Sequence, residues 1–411
     1  MATPVANSYL LKSLWSRSNW TVFFCLSLIV SMYSSKYVLS VSMFGLLAVA
    51  FCRRDYPEWL RTLARERVYW FPMLFFFVIL GSGLYSEDTS SWLERLRIRL
   101  PFLGLPIAFA SLPRLSRRQY YGVMSFFVII SAIVALGVSV LYMRNFEEFT
   151  QRLSMGQALK TPINHILFSL LICIATVAGW ELFRNKFSYR FRSEPYIMLG
   201  ISLFLVAFLH ILSVRSGLIA LYICWTAIAT GYVWRTRKFA LGFAVIVSVA
   251  ALPLLAYQFV PSFKTRMDYA RWDIAQYRAG QGNMYSDSDR LTSISLGLKI
   301  GNAHPIFGVG AGDVRQQMTA EYLEIHPEAT KILIPHNQFV NAYAGTGLVG
   351  LLLFLIAFLG PLFGQRHHRD TFLVGLHIIF ACSFLSESTI ETAIGTAIFL
   401  FFLLFGLHKY R

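Results

Sequence analysis

Residues 121–143 read YGVMSFFVIISAIVALGVSVLYM, an apolar run in which no side chain is charged. A helix needs about 20 predominantly apolar residues to cross the hydrocarbon core of a bilayer, so this run predicts a membrane-spanning helix. Twelve such candidate spans occur in the chain, at residues 19–35, 37–52, 69–85, 100–112, 121–143, 163–183, 195–213, 215–234, 239–259, 337–360, 371–386 and 391–408. The fourth of these spans is short and begins near Pro101, so it is expected to be kinked or to lie partly within the protein.

The composition of the chain supports the same fold class. Of the 411 residues, 56% are hydrophobic and only 14% are charged, whereas a soluble domain is typically about 25% charged. A soluble chain of this length would divide into domains, and there is too little polar surface here to cover them. The composition excludes a soluble enzyme, a disordered protein and a disulfide scaffold. It predicts an all-α polytopic membrane protein with about twelve transmembrane helices.

The basic residues predict how the chain is oriented in the membrane. With the N-terminus in the cytoplasm, the cytoplasmic segments hold 21 Lys and Arg residues and the short outer segments hold eight. Cytoplasmic loops carry such an excess, so the net charge of +16 indicates membrane orientation rather than nucleic-acid binding. We expect transmembrane helices 1–9 in residues 1–259, one outer loop with short helices in residues 260–336, and transmembrane helices 10–12 in residues 337–411.

The outer loop at residues 260–336 is predicted to be structured. It carries eight basic and eight acidic residues with interleaved Tyr, Trp and Leu, which favours short amphipathic helices over a disordered tail. Ser288 or Asp289 is expected to cap one helix. Asp313 is expected to cap a second helix that ends near Glu324.

A glycine-rich run, Gly308-x-Gly310-x-Gly312, lies between these two helices and follows His304. It is not a phosphate-binding P-loop, because no Lys-Ser/Thr follows it and no strand–turn–helix unit surrounds it. Two interpretations remain open. The glycines either form a tight turn that requires positive φ, or they let the backbone approach a ligand or the next helix.

The sequence PHNQ at residues 335–338 stands where the outer loop enters the tenth candidate span. A histidine at the water–membrane boundary can accept a proton near neutral pH, or it can merely cap a helix or hydrogen-bond at the interface. The residues alone leave both interpretations of His336 open. Three small residues that follow, Gly345, Gly347 and Gly350, are expected to permit close helix contact.

Arg215 joins two candidate spans with almost no polar loop between them, within SVRSG at residues 213–217. A charge at this depth is costly and usually functional, although the side chain can also snorkel to the headgroups. Arginine suits a phosphate anion, which it binds bidentately. Arg290, near the start of a loop helix, is a second candidate. A further outer basic cluster consists of Arg95, Arg97 and Arg99.

The acidic residues allow a metal-dependent alternative. Asp287-x-Asp289 has the spacing to hold a divalent metal against a diphosphate, but the adjacent Arg290 suggests that the protein supplies its own cations. Glu387 and Glu391 flank the last outer turn, where each either pairs with an arginine or faces water. We expect neither a metal nor a cofactor.

Taken together, HPIFGVGAG at residues 304–312, PHNQ at 335–338 and the glycines within 345–350 resemble the O-antigen ligase family. The motif region covers about residues 288–350, and the twelve-span layout covers the whole chain. These motifs do not separate the ligases from O-antigen polymerases or protein O-oligosaccharyltransferases. Chain length and the modest outer loop favour a lipopolysaccharide ligase.

The resemblance implies an inverting, metal-independent glycosyltransferase of the GT-C type in the bacterial inner membrane, with its active site facing the periplasm. It implies ligation of O-antigen polysaccharide from undecaprenyl diphosphate onto lipid A–core oligosaccharide, among membrane lipids and without nucleic acid. The family's essential histidine corresponds to His336. Its arginine between two central spans corresponds to Arg215, and its loop arginine corresponds to Arg290.

Four further residues are expected to contact substrate. Asn337 and His304 belong to the two motifs, whereas Arg97 and Glu387 are added from charge and topology. Two alternatives stay open. An O-antigen polymerase would use the same donor with a second lipid-linked glycan as acceptor. A lipid-linked glycan transporter or flippase would also have about twelve spans, but such proteins often show two similar halves, which this sequence does not.

Overall fold

The computed structural model describes residues 16–53, 56–279, 286–325, 327 and 332–409. Every regular element within these residues is helical, and short 3₁₀ segments occur at Arg67–Tyr69, Gly364–Arg369 and Thr389–Glu391. The α-helices are α1 Arg17–Ser34, α2 Lys36–Phe51, α3 Tyr56–Arg65, α4 Trp70–Ser82, α5 Thr89–Ser111, α6 Arg117–Arg144, α7 Phe146–Ser154, α8 His165–Arg184, α9 Glu194–Leu212, α10 Arg215–Thr236, α11 Phe239–Phe259, α12 Pro261–Arg278, α13 Ser286–Ala303, α14 Val314–Ile325, α15 Gln338–Phe363, α16 Thr371–Ser386 and α17 Ala393–Leu407.

Helices occupy all twelve predicted spans, which confirms an all-α polytopic membrane protein. Among the described residues, six helices are long and apolar enough to cross a membrane by length and composition, namely α6, α8, α9, α10, most of α11 and α15. Four apolar segments are shorter, namely α2, Arg67–Ser82, α16 and α17. Several spans are therefore shorter than the ~20 residues of a full crossing.

Helix α5 corrects the predicted fourth span. It begins at Thr89 rather than near Pro101, and it continues through both Pro101 and Pro106. Asp88 caps it by accepting a hydrogen bond from the Ser91 N–H at 2.9 Å. Hydropathy alone did not predict this start, because three arginines precede the apolar part of the helix. In the folded protein, a carboxylate pairs with two of these arginines.

The core of the bundle is built around α8 and α17. The most apolar part of α8 is 89% buried. On α17, Phe399 is fully buried and its ring centroid lies 4.9 Å from that of Phe380. By contrast, only 6% of the apolar window of α11 is buried. Its exposed side chains, such as Phe243 and Leu254, form the apolar surface expected of a helix that faces lipid.

The glycine-rich run at residues 308–312 inserts beside a break in α15. Gly347 interrupts the helix, with φ 62° and ψ −165°. Before the break, the N–H groups of Val309 and Gly310 each donate to an α15 carbonyl at 3.0 Å, and beyond it an α15 N–H donates to the carbonyl of Pro305 at 2.8 Å. The glycines thus let the backbone approach the next helix, and the first two glycines of the run also have positive φ, at 69° and 99°, so both predicted interpretations are confirmed.

The role of Gly347 differs from the predicted one. It was expected to permit contact between helices, whereas it opens α15 to the inserted loop. A side chain there would place its Cβ 2.2 Å from the carbonyl oxygen of Ile306. The backbone groups freed by the break are satisfied by the loop, so the break is stable within the membrane-spanning bundle.

The two predicted loop helices are present as α13 and α14. Ser288 and Asp289 lie within α13 rather than before it, so the prediction that one of them caps this helix was wrong. Asp313 lies at the predicted cap position before α14, but its side chain bonds to another part of the chain instead of capping the helix. Its carboxylate accepts hydrogen bonds from the N–H groups of Glu87 and Asp88, at 2.9 and 2.7 Å. Asp313 therefore ties the segment between α13 and α14 to the turn between α4 and α5.

Replacing Gly347 by alanine should lower the melting temperature of the purified protein. The positive φ and the close approach of Ile306 both oppose a side chain, so we expect a loss of at least ~1–2 kcal/mol of stability. Thermal unfolding in detergent measures the effect. Gly137→Ala is the matched control, because nothing lies within 4 Å of a Cβ at that position. Equal melting temperatures for the two variants would contradict the proposed constraint.

Candidate functional site

Three side chains form a connected chain at the start of α15. The His336 Nδ1 lies 2.9 Å from Glu387 Oε2, and the Arg290 Nη2 lies 2.8 Å from Glu387 Oε1. Glu387 follows α16, whereas Arg290 belongs to α13. The fold therefore joins two of the predicted catalytic residues through Glu387, and its pairing with Arg290 is one of the two alternatives that the sequence left open for this carboxylate.

Neighbouring contacts hold the backbone at His336 in place. Its N–H donates to Ser293 Oγ on α13 at 3.1 Å. The carbonyl of the preceding Pro335 accepts a hydrogen bond from Ser388 Oγ at 2.6 Å. The histidine is thus fixed both to α13 and to the turn that carries Glu387, which limits the movement of its imidazole.

Asn337 has a positioning role at the start of α15. Its Oδ1 accepts hydrogen bonds from the N–H groups of Phe339 and Val340, at 3.0 and 3.1 Å. Its Nδ2 donates to the carbonyl of Leu385 at 3.2 Å. Because both ends of the amide are engaged by the protein, Asn337 fixes the backbone next to His336, and the second N–H of its Nδ2 stays available for the predicted substrate contact.

The Glu387 carboxylate determines which imidazole nitrogen can act as a base. A carboxylate only accepts, so Nδ1 of His336 carries the shared proton and Nε2 of the neutral ring bears the lone pair. Burial raises the pKa of Glu387, whereas the hydrogen bond from His336 and the charge of Arg290 lower it, and the net pKa lies below its ordinary value. The pair has the form of a base with its orienting carboxylate.

Arg290 also lines a polar cavity that contains the third predicted catalytic residue. The cavity is walled by Arg215, Arg266 and Arg290, together with His165 and Ser216. No carboxylate is among the described residues that line it. Three guanidinium groups around one small cavity favour an anion there, and a guanidinium is a planar group that matches phosphate oxygens.

A sharp turn between α9 and α10 places Arg215 at this cavity. Ser213 ends α9 in a left-handed conformation, with φ 54° and ψ 30°, and its hydroxyl donates to the carbonyl of His210 at 2.7 Å. Helix α10 begins at Arg215 itself, so the positive end of the helix dipole adds to the guanidinium charge. Strained non-glycine backbone of this kind is often found at functional sites.

Arg266 was missed in the sequence. It lies on α12, is only 7% exposed, and donates a hydrogen bond to the carbonyl of Gly156. In the sequence it is one of eight basic residues in a charge-balanced loop. Its burial beside Arg215 is what distinguishes it, and no local pattern in the sequence signals that burial.

A second carboxylate, Glu391, lies beside the first and is held by two arginines of α5. Arg99 forms an ion pair with it, and the Arg95 Nη1 lies 3.4 Å from its Oε2. Gln338 donates from Nε2 to Glu391 at 2.8 Å. This network fastens α5 to the first residue of α15, two positions after His336.

Arg97, predicted to bind substrate, lies away from this network. Residues two positions apart on a helix point about 200° apart, whereas residues four apart share a face. Arg95 and Arg99 therefore face Glu391 together, and Arg97 is exposed on the opposite side of α5. The prediction placed these arginines in a short outer segment before the fourth span, whereas they lie on α5.

His304 is likewise not brought to the site. It follows the C-terminal end of α13 and is exposed, whereas Arg290 lies near the start of the same helix. At 1.5 Å per residue, the two are separated by about 20 Å along the helix axis. The glycine-rich motif that begins at His304 instead hydrogen-bonds to α15 beside its break.

Among the described residues, no group of three or more His, Cys, Asp or Glu side chains could hold a metal ion. The side chain of Asp287 lies outside the described residues, so the geometry of the predicted Asp287-x-Asp289 pair is not described.

Comparison with known protein families identifies a match for the central part of the chain. Residues 199–355 match the family model described as O-antigen ligase. The matched region runs from α9 into α15 and includes Arg215, Arg266, Arg290 and His336, whereas Glu387 lies beyond it. Comparison with curated proteins finds no match.

Proposed function

We propose that the chain is a member of the O-antigen ligase family, whose model matches residues 199–355, and that it ligates O-antigen polysaccharide from undecaprenyl diphosphate onto lipid A–core oligosaccharide. The proposed reaction takes place at the periplasmic face of the bacterial inner membrane. The observation that carries the proposal is the cavity of Arg215, Arg266 and Arg290 beside the His336–Glu387 pair. Such a transfer needs a site for a diphosphate and a base for the acceptor hydroxyl.

The three arginines suit a diphosphate leaving group. As the bond between the anomeric carbon and the diphosphate oxygen breaks, the leaving group keeps the electron pair and negative charge grows on its oxygens. Fixed guanidinium groups in a partly dry cavity stabilise that charge with little reorganisation. The sugar–diphosphate bond is already activated, so no nucleotide takes part.

His336 is suited to the acceptor side of the reaction. Its Nε2 takes the proton of the acceptor hydroxyl while the hydroxyl oxygen attacks the anomeric carbon opposite the diphosphate, which inverts the configuration. One C–O bond forms to the acceptor as the C–O bond to the diphosphate breaks, and the proton ends on His336. Glu387 stabilises the resulting imidazolium and keeps the ring in its orientation.

An assay with purified protein tests this proposal and also the role of metal. Lipid-linked glycan and lipid A–core, supplied without nucleotide and in the presence of EDTA, should yield the conjugate at an unchanged rate. Substituting both Asp287→Asn and Asp289→Asn should be tolerated, because arginines rather than a metal neutralise the diphosphate. Loss of activity in EDTA that added Mg²⁺ or Mn²⁺ restores would support the metal-dependent alternative.

The products of the same assay distinguish the candidate functions. Growth of the glycan on its own carrier would identify a polymerase, because that reaction uses a second lipid-linked glycan as acceptor. Formation of neither product by folded protein would contradict the proposal. Movement of lipid-linked glycan across proteoliposome membranes would then be measured to test the transporter alternative.

Labelling of single cysteines should reveal the proposed orientation. Gln317 on α14 and Thr236 at the end of α10 are both exposed, so each is replaced by cysteine in a background without the native cysteines. An impermeant thiol reagent is added to cells with a permeabilised outer membrane and an intact inner one. Position 317 should react and position 236 should not. The reverse pattern would place the arginine cavity on the cytoplasmic side.

A further inference from the structure

A large groove opens at the end of the bundle opposite the arginine cavity. It lies between α8, α9, α10 and α11 and has a volume of about 840 Å³, within the usual range for ligand pockets. Arg215 begins α10, whereas the residues of α10 that line the groove run from Trp225 to Val233. At 1.5 Å per residue, the groove lies about 15–27 Å from Arg215 along the helix axis. The groove and the cavity are therefore separate sites.

The walls of the groove are mainly aromatic and aliphatic. Trp180 and Trp225 pack edge to face with ring centroids 5.6 Å apart, and Phe183 packs against Tyr196 with centroids 5.7 Å apart. Only 6% of the apolar window of α11 is buried, so this flanking helix has few contacts with the rest of the bundle. Trp and Tyr favour the membrane–water interface, and an apolar wall beneath them suits acyl chains.

The mouth of the groove is basic. Arg184, Lys186 and Arg192 line it, all three are exposed, and no acidic side chain is among the described residues that line it. Arg184 pairs with the buried Glu181 at 2.9 Å. Glu194 accepts hydrogen bonds from three backbone N–H groups in the turn before α9. Lys186 and Arg192 therefore dominate the charge at the mouth.

We propose that the groove binds an anionic phospholipid of the leaflet opposite the arginine cavity. Its acyl chains lie against Trp225 and Tyr232, and its phosphate lies between Lys186 and Arg192. Basic residues at a membrane surface attract anionic headgroups, whereas a zwitterionic phospholipid offers them no net charge. The polyprenyl diphosphate of the proposed donor is not the occupant, because its phosphates belong at the cavity of Arg215.

Native mass spectrometry of delipidated protein tests this proposal with phosphatidylglycerol and phosphatidylethanolamine as probes. The wild-type protein should retain more phosphatidylglycerol than phosphatidylethanolamine. Substituting both Lys186→Ala and Arg192→Ala should weaken phosphatidylglycerol binding about tenfold or more and leave phosphatidylethanolamine binding unchanged. The matched control, Arg61→Ala with Arg65→Ala, removes two exposed charges from α3 and should keep the preference.

A second variant tests the groove itself. Ala229 lines the groove, so Ala229→Trp should fill it and reduce retention of both lipids without lowering the melting temperature of the protein. Equal retention of the two lipids by the wild type would overturn the proposal. An unchanged preference in the Lys186/Arg192 variant, or an equal loss in the control, would also overturn it, because surface charge in general would then select the lipid.

Discussion

His336→Gln should slow glycan transfer by about 10²–10⁴-fold, nearly as much as His336→Ala. Glutamine keeps a hydrogen-bonding side chain but cannot take a proton at neutral pH. The structure supports a base at this position because Glu387 occupies Nδ1 and leaves Nε2 with the lone pair. The initial rate of conjugate formation, measured with purified variants of equal thermal stability, checks this expectation.

The pattern of residual activity separates the two possible roles of His336. A substantial rate in the glutamine variant, with little in the alanine variant, would mean that the residue orients the acceptor through a hydrogen bond. Binding of the lipid-linked donor should survive both substitutions, because the arginine cavity is unaltered. A wild-type rate for folded His336→Ala would remove the residue from either role.

The pH dependence of the rate gives an independent readout of the same step. The pKa of Glu387 lies below its ordinary value, so its carboxylate persists as the pH is lowered through mildly acidic values. A protonated imidazole cannot accept a proton, so the rate should fall toward acidic pH while Glu387 remains charged. Glu387→Gln should reduce the rate at every pH, because an amide no longer stabilises the imidazolium.

Arg215→Ala should abolish transfer or reduce it by about 10²–10³-fold, the usual effect of removing one preorganised donor to a developing negative charge. Arg215 stands at the first residue of α10 in the same cavity as Arg266 and Arg290. Arg215→Lys should also impair the reaction, because lysine retains the charge but loses the planar fork. The initial rate of conjugate formation is again the measurement.

Donor binding provides the control for the arginine variants. Arg315 lies exposed on α14, so Arg315→Ala removes an outer-loop charge without touching the cavity and should leave both rate and donor binding unchanged. Arg266→Ala should resemble Arg215→Ala if both guanidinium groups hold the diphosphate. Full activity of Arg215→Ala, in protein that remains folded in the membrane, would exclude it from the site.

The start of the fourth span could not be predicted from local sequence properties. Its apolar part was recognised, but the helix begins twelve residues earlier, at Thr89. The first part of this helix carries three arginines, and burying arginines in a helix bundle is unfavourable unless an acidic partner is present. Glu391 lies almost 300 residues away in the chain and is paired with Arg95 and Arg99. The ion pairs that offset the cost of burying these arginines form only between distant residues.

The glycine motif shows a similar limit. Its sequence left open a tight turn with positive φ and a close backbone approach to a ligand or to the next helix, and the folded chain identifies the next helix as the neighbour. The break at Gly347 was not predicted, because an apolar run with three glycines is compatible with a continuous transmembrane helix. The left-handed φ of Gly347 is stabilised by the hydrogen bonds of the inserted loop, and those bonds are tertiary contacts.

The membrane class, the approximate positions of the apolar helices and the resemblance to the O-antigen ligase family could be read from the sequence alone, because these depend on local properties. A spanning helix satisfies its own backbone hydrogen bonds, so an apolar run of sufficient length is enough to predict it. The packing of the bundle alone brings Arg215, Arg266 and Arg290 from three separate helices to one cavity and places Glu387 between Arg290 and His336. The arrangement of these residues depends on how helices distant in the chain pack against each other, and neither hydropathy nor motif spacing predicts that packing.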